Sequence, residues 1–528
     1  MAMKVLVAEQ IADSGIELLK REFDVDVITG LTAEQLVEKI GAYDALIVRS
    51  ATKATREIIE AGVNLKIIGR AGVGVDNVDV AAATERGIIV CNAPTSNIVS
   101  AAEHTIALML AQARNIPQAN ASMHAGKWER SKFTGTEVYD KTLAIVGLGR
   151  IGTLVAERAK GLGMKLIGYD PYITPERAAH LGVEMYPTVD ELLPHADFLT
   201  VHLPKTKETI GMFGAAQFSK MRDGIRLVNT ARGGIYQVEA LAEAIKTGKV
   251  ASAGIDVFEV EPCTESALHG LANVILTPHL GASTEEAQDR AGEQIAELVA
   301  AGLRGEMVST AVNIAPVPPE VMDKVGPFLN LAESLGRMLA QIARGGIDSL
   351  DVLTVGGLAD TDTRILRTAV LKGLLTQVSD EPVNFVNADY YAGSRGIKVT
   401  ETKRIETHDY VSMVIVRSTT PSGPVEIAAA LIGKKNEPRL VSLFNYDLDM
   451  LPSQYMAFFM YPDRPGMIGK VGTTLGDAGV NIATMQVGRN EIGGRALMGI
   501  NVDSPLAADL LRRIVEEAGM EDAWSVEL

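Results

Sequence analysis

Apolar positions in the first hundred residues come in short β-branched runs separated by amphipathic stretches. Lys4–Ala8, Ala45–Val48, Leu65–Ile68 and Ile88–Cys91 predict buried strands, and helical spacing falls around Asp13–Glu22, Thr32–Ile40 and Arg56–Ala61. Strands alternating with helices imply a parallel sheet. A long helix is expected next: Ser100 and Glu103 form a capping-box pattern, and Ile106, Met109 and Leu110 share one face. A second block runs from Thr142 to about Ala282. Its predicted strands are Leu143–Val146, Lys165–Tyr169, Phe198–His202, Arg226–Asn229, Ala253–Val257 and Val274–Thr277, enough for one doubly wound sheet. Ser283 with Glu286 predicts the cap of a further helix carrying Ala287, Ala291, Ile295 and Leu298. That helix is expected back against the first block, which makes the second block an insertion.

Asn313–Pro319 is proline-rich and reads as a linker, as does Leu451–Gln454. Between them the pattern is mixed α/β. From Tyr455 the order is strand, helix, strand, strand, helix, strand, a ferredoxin-like βαββαβ unit. The expected bodies are therefore 1–98 with 283–312, then 99–282, 318–452 and 455–528.

The length of 528 residues requires several such bodies, at a prior of about 150 residues each. Hydrophobic residues make up 47% and charged residues 22%, which excludes a disordered or fibrous chain. With 50 basic and 66 acidic residues the net charge is −16, and no basic run offsets it. Nucleic acid and anionic membrane are therefore not expected partners. Any anionic ligand must be met by local arginines or helix N-termini. No stretch has the ~20 apolar residues of a membrane span, and the N-terminal stretch lacks the apolar core of a signal peptide. The expected location is the cytoplasm. Cys91 and Cys263 lack metal-ligand spacing, so no metal is expected and both read as reduced thiols.

The motif Gly147-Leu-Gly149-Arg150-Ile151-Gly152 follows an apolar strand and opens a helix. Its glycines suit a tight turn, close approach of a pyrophosphate and close packing of the helix. The helix N-terminus offers free N–H groups to phosphates. The next strand ends at Asp170, where the ribose-binding acid of a dinucleotide site belongs. A carboxylate there accepts from a 2′-hydroxyl and repels a 2′-phosphate, so NAD is expected rather than NADP.

Three polar clusters sit at or beyond predicted strand ends: Asn229-Thr230-Ala231-Arg232-Gly-Gly, Glu259-Val-Glu261-Pro and Thr277-Pro-His279-Leu-Gly281-Ala282. With the glycine motif they occur in the order and spacing of the D-isomer-specific 2-hydroxyacid dehydrogenases, which residues 1–312 resemble. The resemblance implies a Rossmann-type doubly wound sheet inserted in a flavodoxin-like substrate domain. It implies Arg232, Glu261 and His279 as catalytic residues. Their chemistry suits those roles. Arg232 can fork onto a carboxylate, His279 can exchange a proton near neutral pH, and Glu261 can fix the imidazole tautomer. Leu203, Pro204, Thr230, Ala231, Asp256, Gly281 and Ala282 are implied at the cofactor, beside Gly147, Gly149, Arg150, Ile151, Gly152 and Asp170. His104 has no such context and reads as a structural histidine.

Within that family the whole chain looks most like the long branch with extra C-terminal domains. This implies oxidation of 3-phospho-D-glycerate, an intervening domain and a homotetramer. Arg49 and Ser50, with Arg70, Val73 and Gly74, are the expected substrate contacts, because two arginines and a glycine-rich turn can bind a phosphate or carboxylate. Surface ion pairing competes with that role, more strongly for Arg49. Trp128, Arg130 and Lys132 lie in a loop that mediates dimer contacts in the family. Gln237 stands where the family more often has an acid. The tail resembles an ACT domain, with Tyr461, Asp463 and Asn481 as expected effector contacts and L-serine as the implied effector. Rival readings are a glyoxylate or hydroxypyruvate reductase, which needs no such tail, and a non-catalytic amino-acid sensor.

Overall fold

The computed structural model describes residues 2–379, 381–407 and 409–528 and contains four sheets. The first is parallel, in the spatial order Asp24–Val27, Lys4–Val7, Ala45–Val48, Ile67–Arg70, Ile89–Asn92. Its edge strand, Asp24–Val27, has an alternating DVDV sequence and is largely exposed, so no apolar run marks it. The strand predicted at Leu65–Ile68 lies two residues later and ends on Arg70.

The second sheet is also parallel. Its order is Val274–Leu276, Val250–Ile255, Ile225–Asn229, Phe198–Val201, Thr142–Val146, Lys165–Tyr169, Val183–Met185. Six strands were expected; the seventh, Val183–Met185, is a short edge strand. Strand order reverses between Thr142–Val146 and Phe198–Val201, and a crevice opens at the carboxyl ends of strands at such a point. Gly147 stands at that crevice.

Two helices tie the sheets together. Helix Ile98–Ala113 packs on the second sheet through Leu108 and Met109, which share a core with Leu143 and Ile145. Its expected Ser100–Glu103 box does not form. Asn97 is the N-cap, the Ser100 hydroxyl donates to the Asn97 carbonyl at 3.1 Å, and Glu103 pairs with Arg158. Helix Glu285–Leu303 returns to the first sheet, with Ala291, Ile295 and Val299 in one core with Val5, Ile47 and Ile67. Its cap is Thr284 rather than Ser283, because the Ser283 N–H is still turned back to the Leu280 carbonyl.

The third sheet is mixed, in the order Lys398–Arg404, Ser349–Gly356, Ser412–Thr420, Gly423–Ile432, Glu437–Leu443, Tyr446–Met450. Helices Leu329–Ile342 and Arg364–Thr376 cover one face. The fourth is antiparallel, in the order Ile482–Arg489, Arg495–Val502, Tyr455–Pro462, Asp522–Glu527. Helices Met467–Asp477 and Ala508–Ala518 cover one of its faces. Its other face, through Met456, Phe458, Leu497, Trp524 and Val526, belongs to the core of the third sheet. Among the described residues no helix is long and apolar enough to cross a membrane.

Candidate active site

The glycine motif is built for a close ligand. Gly147 has φ +94°, and a Cβ there would lie 2.5 Å from the His202 carbonyl oxygen. A Cβ on Gly152 would lie 2.0 Å from the Gly147 oxygen, so the helix Arg150–Gly161 sits directly on the turn. Gly149 differs: nothing lies within 4 Å of its Cβ position. That open ground faces the free N–H groups at Arg150 and Ile151 and fits a pyrophosphate. Asp170 closes the crevice edge. Its Oδ2 accepts from the Leu148 N–H and its Oδ1 from the Tyr172 N–H, both at 2.8 Å. Leu203 packs beside Gly147, and Pro204 is exposed next to it.

His279 lies just beyond the strand Val274–Leu276, with the left-handed φ of +57°. Its Nδ1 is 2.7 Å from Glu261 Oε2, while Glu261 Oε1 accepts from the Phe258 N–H at 2.9 Å. Burial raises the Glu261 carboxyl, but the His279 and Phe258 hydrogen bonds outweigh it and leave the group below its ordinary value. An ionised carboxylate only accepts, so Nδ1 carries a proton, and in the neutral ring this leaves the lone pair on Nε2.

Asp256 holds this loop. Its side chain is wholly buried, with Oδ1 accepting from the Thr277 hydroxyl at 2.5 Å and the Leu280 N–H at 2.7 Å, and Oδ2 from the Gly281 N–H at 2.9 Å. Its carbonyl accepts from the His279 N–H at 2.9 Å. Burial raises the Asp256 carboxyl, and donors from His104, Thr277 and Leu280 reverse that and lower it. Expected at the cofactor, Asp256 has no exposed surface and instead organises residues 277–281. Thr230, also expected there, is buried with its hydroxyl 2.7 Å from that of Thr105. Ala231 is fixed through its N–H to Asn229, and Gly281 is buried.

One pocket of about 720 Å³ is lined by Arg49, Ser50, Arg70, Glu261, His279 and Ala282. Lys53, which the sequence reading missed, also lines it; its signal was a third cation four residues beyond Arg49 on the same loop. Glu9 anchors that loop, accepting from the N–H groups of Arg49 and Thr52 at 2.8 Å and of Ala51 at 3.2 Å. Burial and the neighbouring Arg232 push the Arg70 guanidinium below its ordinary value, and its buried Nε has no partner. The cleft is thus rich in cations that an anion would satisfy.

Arg232 stands just outside the lining, close enough to Arg70 for the two guanidinium groups to repel. It lies against the glycine-rich turn: its Nη2 is 2.8 Å from the Cβ position of Gly74, and its Nε is 3.9 Å from Asp76. Val73 contributes its carbonyl to the Asn92 amide at 2.5 Å. Gln237 donates its amide to the Gly211 carbonyl at 3.2 Å, a bond that no carboxylate at this position could make. Trp128 is exposed and Lys132 pairs with Glu129.

Of the three expected effector contacts, one is turned inward. Tyr461 is 2% exposed and lies in the core of the tail, so its ring is not available to a ligand. Asp463 Oδ2 faces Arg489 and the Gly493 N–H, both at 3.3 Å, and Asn481 donates to Asp503 at 2.7 Å.

Comparison with known proteins places this geometry. Residues 106–281 match the NAD binding domain of the D-isomer specific 2-hydroxyacid dehydrogenases, residues 324–444 the D-3-phosphoglycerate dehydrogenase intervening domain, and residues 455–519 the ACT domain. A D-3-phosphoglycerate dehydrogenase of Synechocystis sp. is 47% identical over 526 residues, covering 99% of this chain and 95% of that one. The chain belongs to the D-3-phosphoglycerate dehydrogenase family. The Methanocaldococcus jannaschii family member is 44% identical, with 100% of both chains covered. Among solved structures, the TT0316 protein of Thermus thermophilus superimposes with a TM-score of 0.55 at 32% identity, covering 59% of this chain and all of that one. Membership makes the molecule an NAD-dependent dehydrogenase.

Proposed function

We propose that the chain oxidises the C2 hydroxyl of 3-phospho-D-glycerate to give 3-phosphohydroxypyruvate, with serine as the feedback effector of the pathway that this step opens. Residues 1–98 with 283–312 bind the substrate, 99–282 the dinucleotide, 318–452 form the intervening domain and 455–528 the regulatory domain. The bound NAD supplies the acceptor for the C2 hydride. Gly147, Gly149, Arg150, Ile151 and Gly152 hold its pyrophosphate, Asp170 its ribose, and Leu203 and Pro204 border it. His279 Nε2 takes the hydroxyl proton. Glu261 keeps the ring in the productive tautomer and stabilises the imidazolium that forms. Arg232 orients the carboxylate and polarises the developing carbonyl. Arg49, Lys53 and Arg70, with Ser50 and the turn at Val73 and Gly74, meet the remaining anionic charge.

The observation that carries this reading is the 2.7 Å His279–Glu261 pair in one pocket with three cations. In the tail, Asp463 and Asn481 meet the effector, and the exposed strand Ile482–Arg489 supports edge-to-edge association into a homotetramer. The two free thiols and acidic surface suit the cytoplasm.

The test follows NADH formation with phosphorylated and unphosphorylated 2-hydroxy acids, with and without serine. 3-Phospho-D-glycerate is expected to give the highest kcat/KM. Preference for an unphosphorylated acid refutes the substrate assignment, and indifference to serine refutes the effector.

A further inference from the structure

Helix Ile98–Ala113 takes no part in the reading above, yet two consecutive side chains on it reach the two loops that carry the chemistry. His104 Nε2 lies 3.2 Å from Asp256 Oδ1 and 3.1 Å from Thr277 Oγ1. Thr105 Oγ1 lies 2.7 Å from Thr230 Oγ1, two residues before Arg232. The donors can be assigned. The Thr105 hydroxyl donates to the Ala101 carbonyl at 2.8 Å, so the Thr230 hydroxyl donates to Thr105. The Thr277 hydroxyl is committed to Asp256 at 2.5 Å, so both groups near His104 Nε2 present lone pairs to it. Nε2 therefore carries the hydrogen and shares it between them.

We propose that this helix is a clamp setting the acid–base loop against the arginine loop, with His104 as the positioning residue for His279 and Thr105 as its counterpart for Arg232. The inference rests on the assignment of His279 and Arg232 made above. His279 sits in the left-handed region, at φ +57°, which a non-glycine residue holds only when its surroundings impose it. What imposes it is Asp256, through the N–H groups of residues 279, 280 and 281. Asp256 is in turn oriented by two side chains, Thr277 and His104. His104 is the one of these that comes from another element, and its side chain is only 20% exposed. Removing it leaves a buried carboxylate oxygen short of a donor beside a gap that water can enter. The carboxylate can then turn, and the backbone it grips can relax. The loss falls on the placement of an imidazole rather than on ligand binding.

The test compares His104→Leu, which fills the space without a donor, with His104→Gln, whose amide can donate from about the place of Nε2. Steady-state NADH formation is measured with the 2-hydroxy acid that the unmodified enzyme oxidises fastest. His104→Leu is expected to lower kcat ~10- to 100-fold while both KM values stay within ~3-fold, as misplacing a reacting group does. His104→Gln is expected to recover most of that loss. Thr277→Val should lower kcat similarly, and combining it with His104→Leu should cost far less than the two effects together. It also carries the test if His104→Leu melts below assay temperature. An unchanged kcat in His104→Leu, a Gln variant no better than Leu, or a loss confined to KM overturns the proposal. His279→Ala is measured in parallel. Full turnover there overturns the acid–base assignment itself, which separates that failure from failure of the clamp.

Discussion

Replacing Glu261 with Gln is the most informative single change to the catalytic pair. The carboxylate serves two donors, the Phe258 N–H at 2.9 Å and His279 Nδ1 at 2.7 Å. An amide has one oxygen and cannot accept on both sides. If the oxygen stays with Phe258, its NH₂ faces Nδ1, which must give up its hydrogen. The proton then sits on Nε2, and the ring can no longer take one from a hydroxyl. If the oxygen turns to His279, the Phe258 N–H faces a donor and the loop strains. A hydrogen bond to a charged partner contributes ~1.5–3 kcal/mol. The His279 and Glu261 side chains are 48% and 36% exposed, so solvent screening puts this pair at the low end. The lost charge alone is then worth ~1.5 kcal/mol, or about tenfold in rate. Tautomer inversion adds to it, up to the ~10²–10⁴ that general base catalysis supplies. Initial rates of NADH formation at saturating NAD should show kcat down at least ~10-fold, with NAD binding by fluorescence unchanged. A variant within ~2-fold of the parent kcat would refute the tautomer argument.

Three further changes probe the dinucleotide crevice. Asp170→Ala should weaken NAD by ~10-fold, in line with loss of a charge-assisted hydrogen bond, and narrow the preference over NADP; unchanged dissociation constants for both would place the ribose acid elsewhere. Gly149→Ala and Gly152→Ala should separate binding from folding. The first fills open ground and should raise the NAD KM with little change in Tm. The second drives a methyl to 2.0 Å from the Gly147 oxygen and should cost ~1–3 kcal/mol of stability, read by denaturant unfolding. A reversal of that pattern would mean that the pyrophosphate does not lie at Gly149.

What was legible in the sequence was what depends on apolar runs and local motif order. The central strands of both parallel sheets, the glycine turn and the return of helix Glu285–Leu303 to the first sheet are of that kind. The edge strands Asp24–Val27 and Val183–Met185 were not, because one is polar and the other has three residues. The caps failed where a residue's N–H or hydroxyl is engaged by the preceding loop, as at Ser100 and Ser283. At the site, the order of the polar clusters and the family resemblance they carry identified the His279–Glu261 pair, whose members lie on loops either side of the strand Val274–Leu276. Both missed His104, because its partners are 152 and 173 residues away and a lone histidine on an apolar helix carries no local mark. Tyr461 misled for the opposite reason: its position beside Asp463 suggested a ligand, while strand alternation turns its ring inward.

The tail and the intervening unit are one mechanical piece. Met456, Phe458 and Val526 are fully enclosed against the neighbouring unit's apolar interior, and each such side chain contributes ~1.5–3 kcal/mol by leaving water. Gln341 adds a pair of bonds to Glu527, donating to its carbonyl at 2.8 Å and accepting from its N–H at 2.9 Å. The tail therefore cannot swing on a tether. The two units thus meet the first body as one block, where the Asn384 amide donates to the Gly87 carbonyl at 2.8 Å. Cutting the chain at residue 452 would peel the cover off a greasy surface, so point changes at Asn481 are the cleaner test of the proposed effector site.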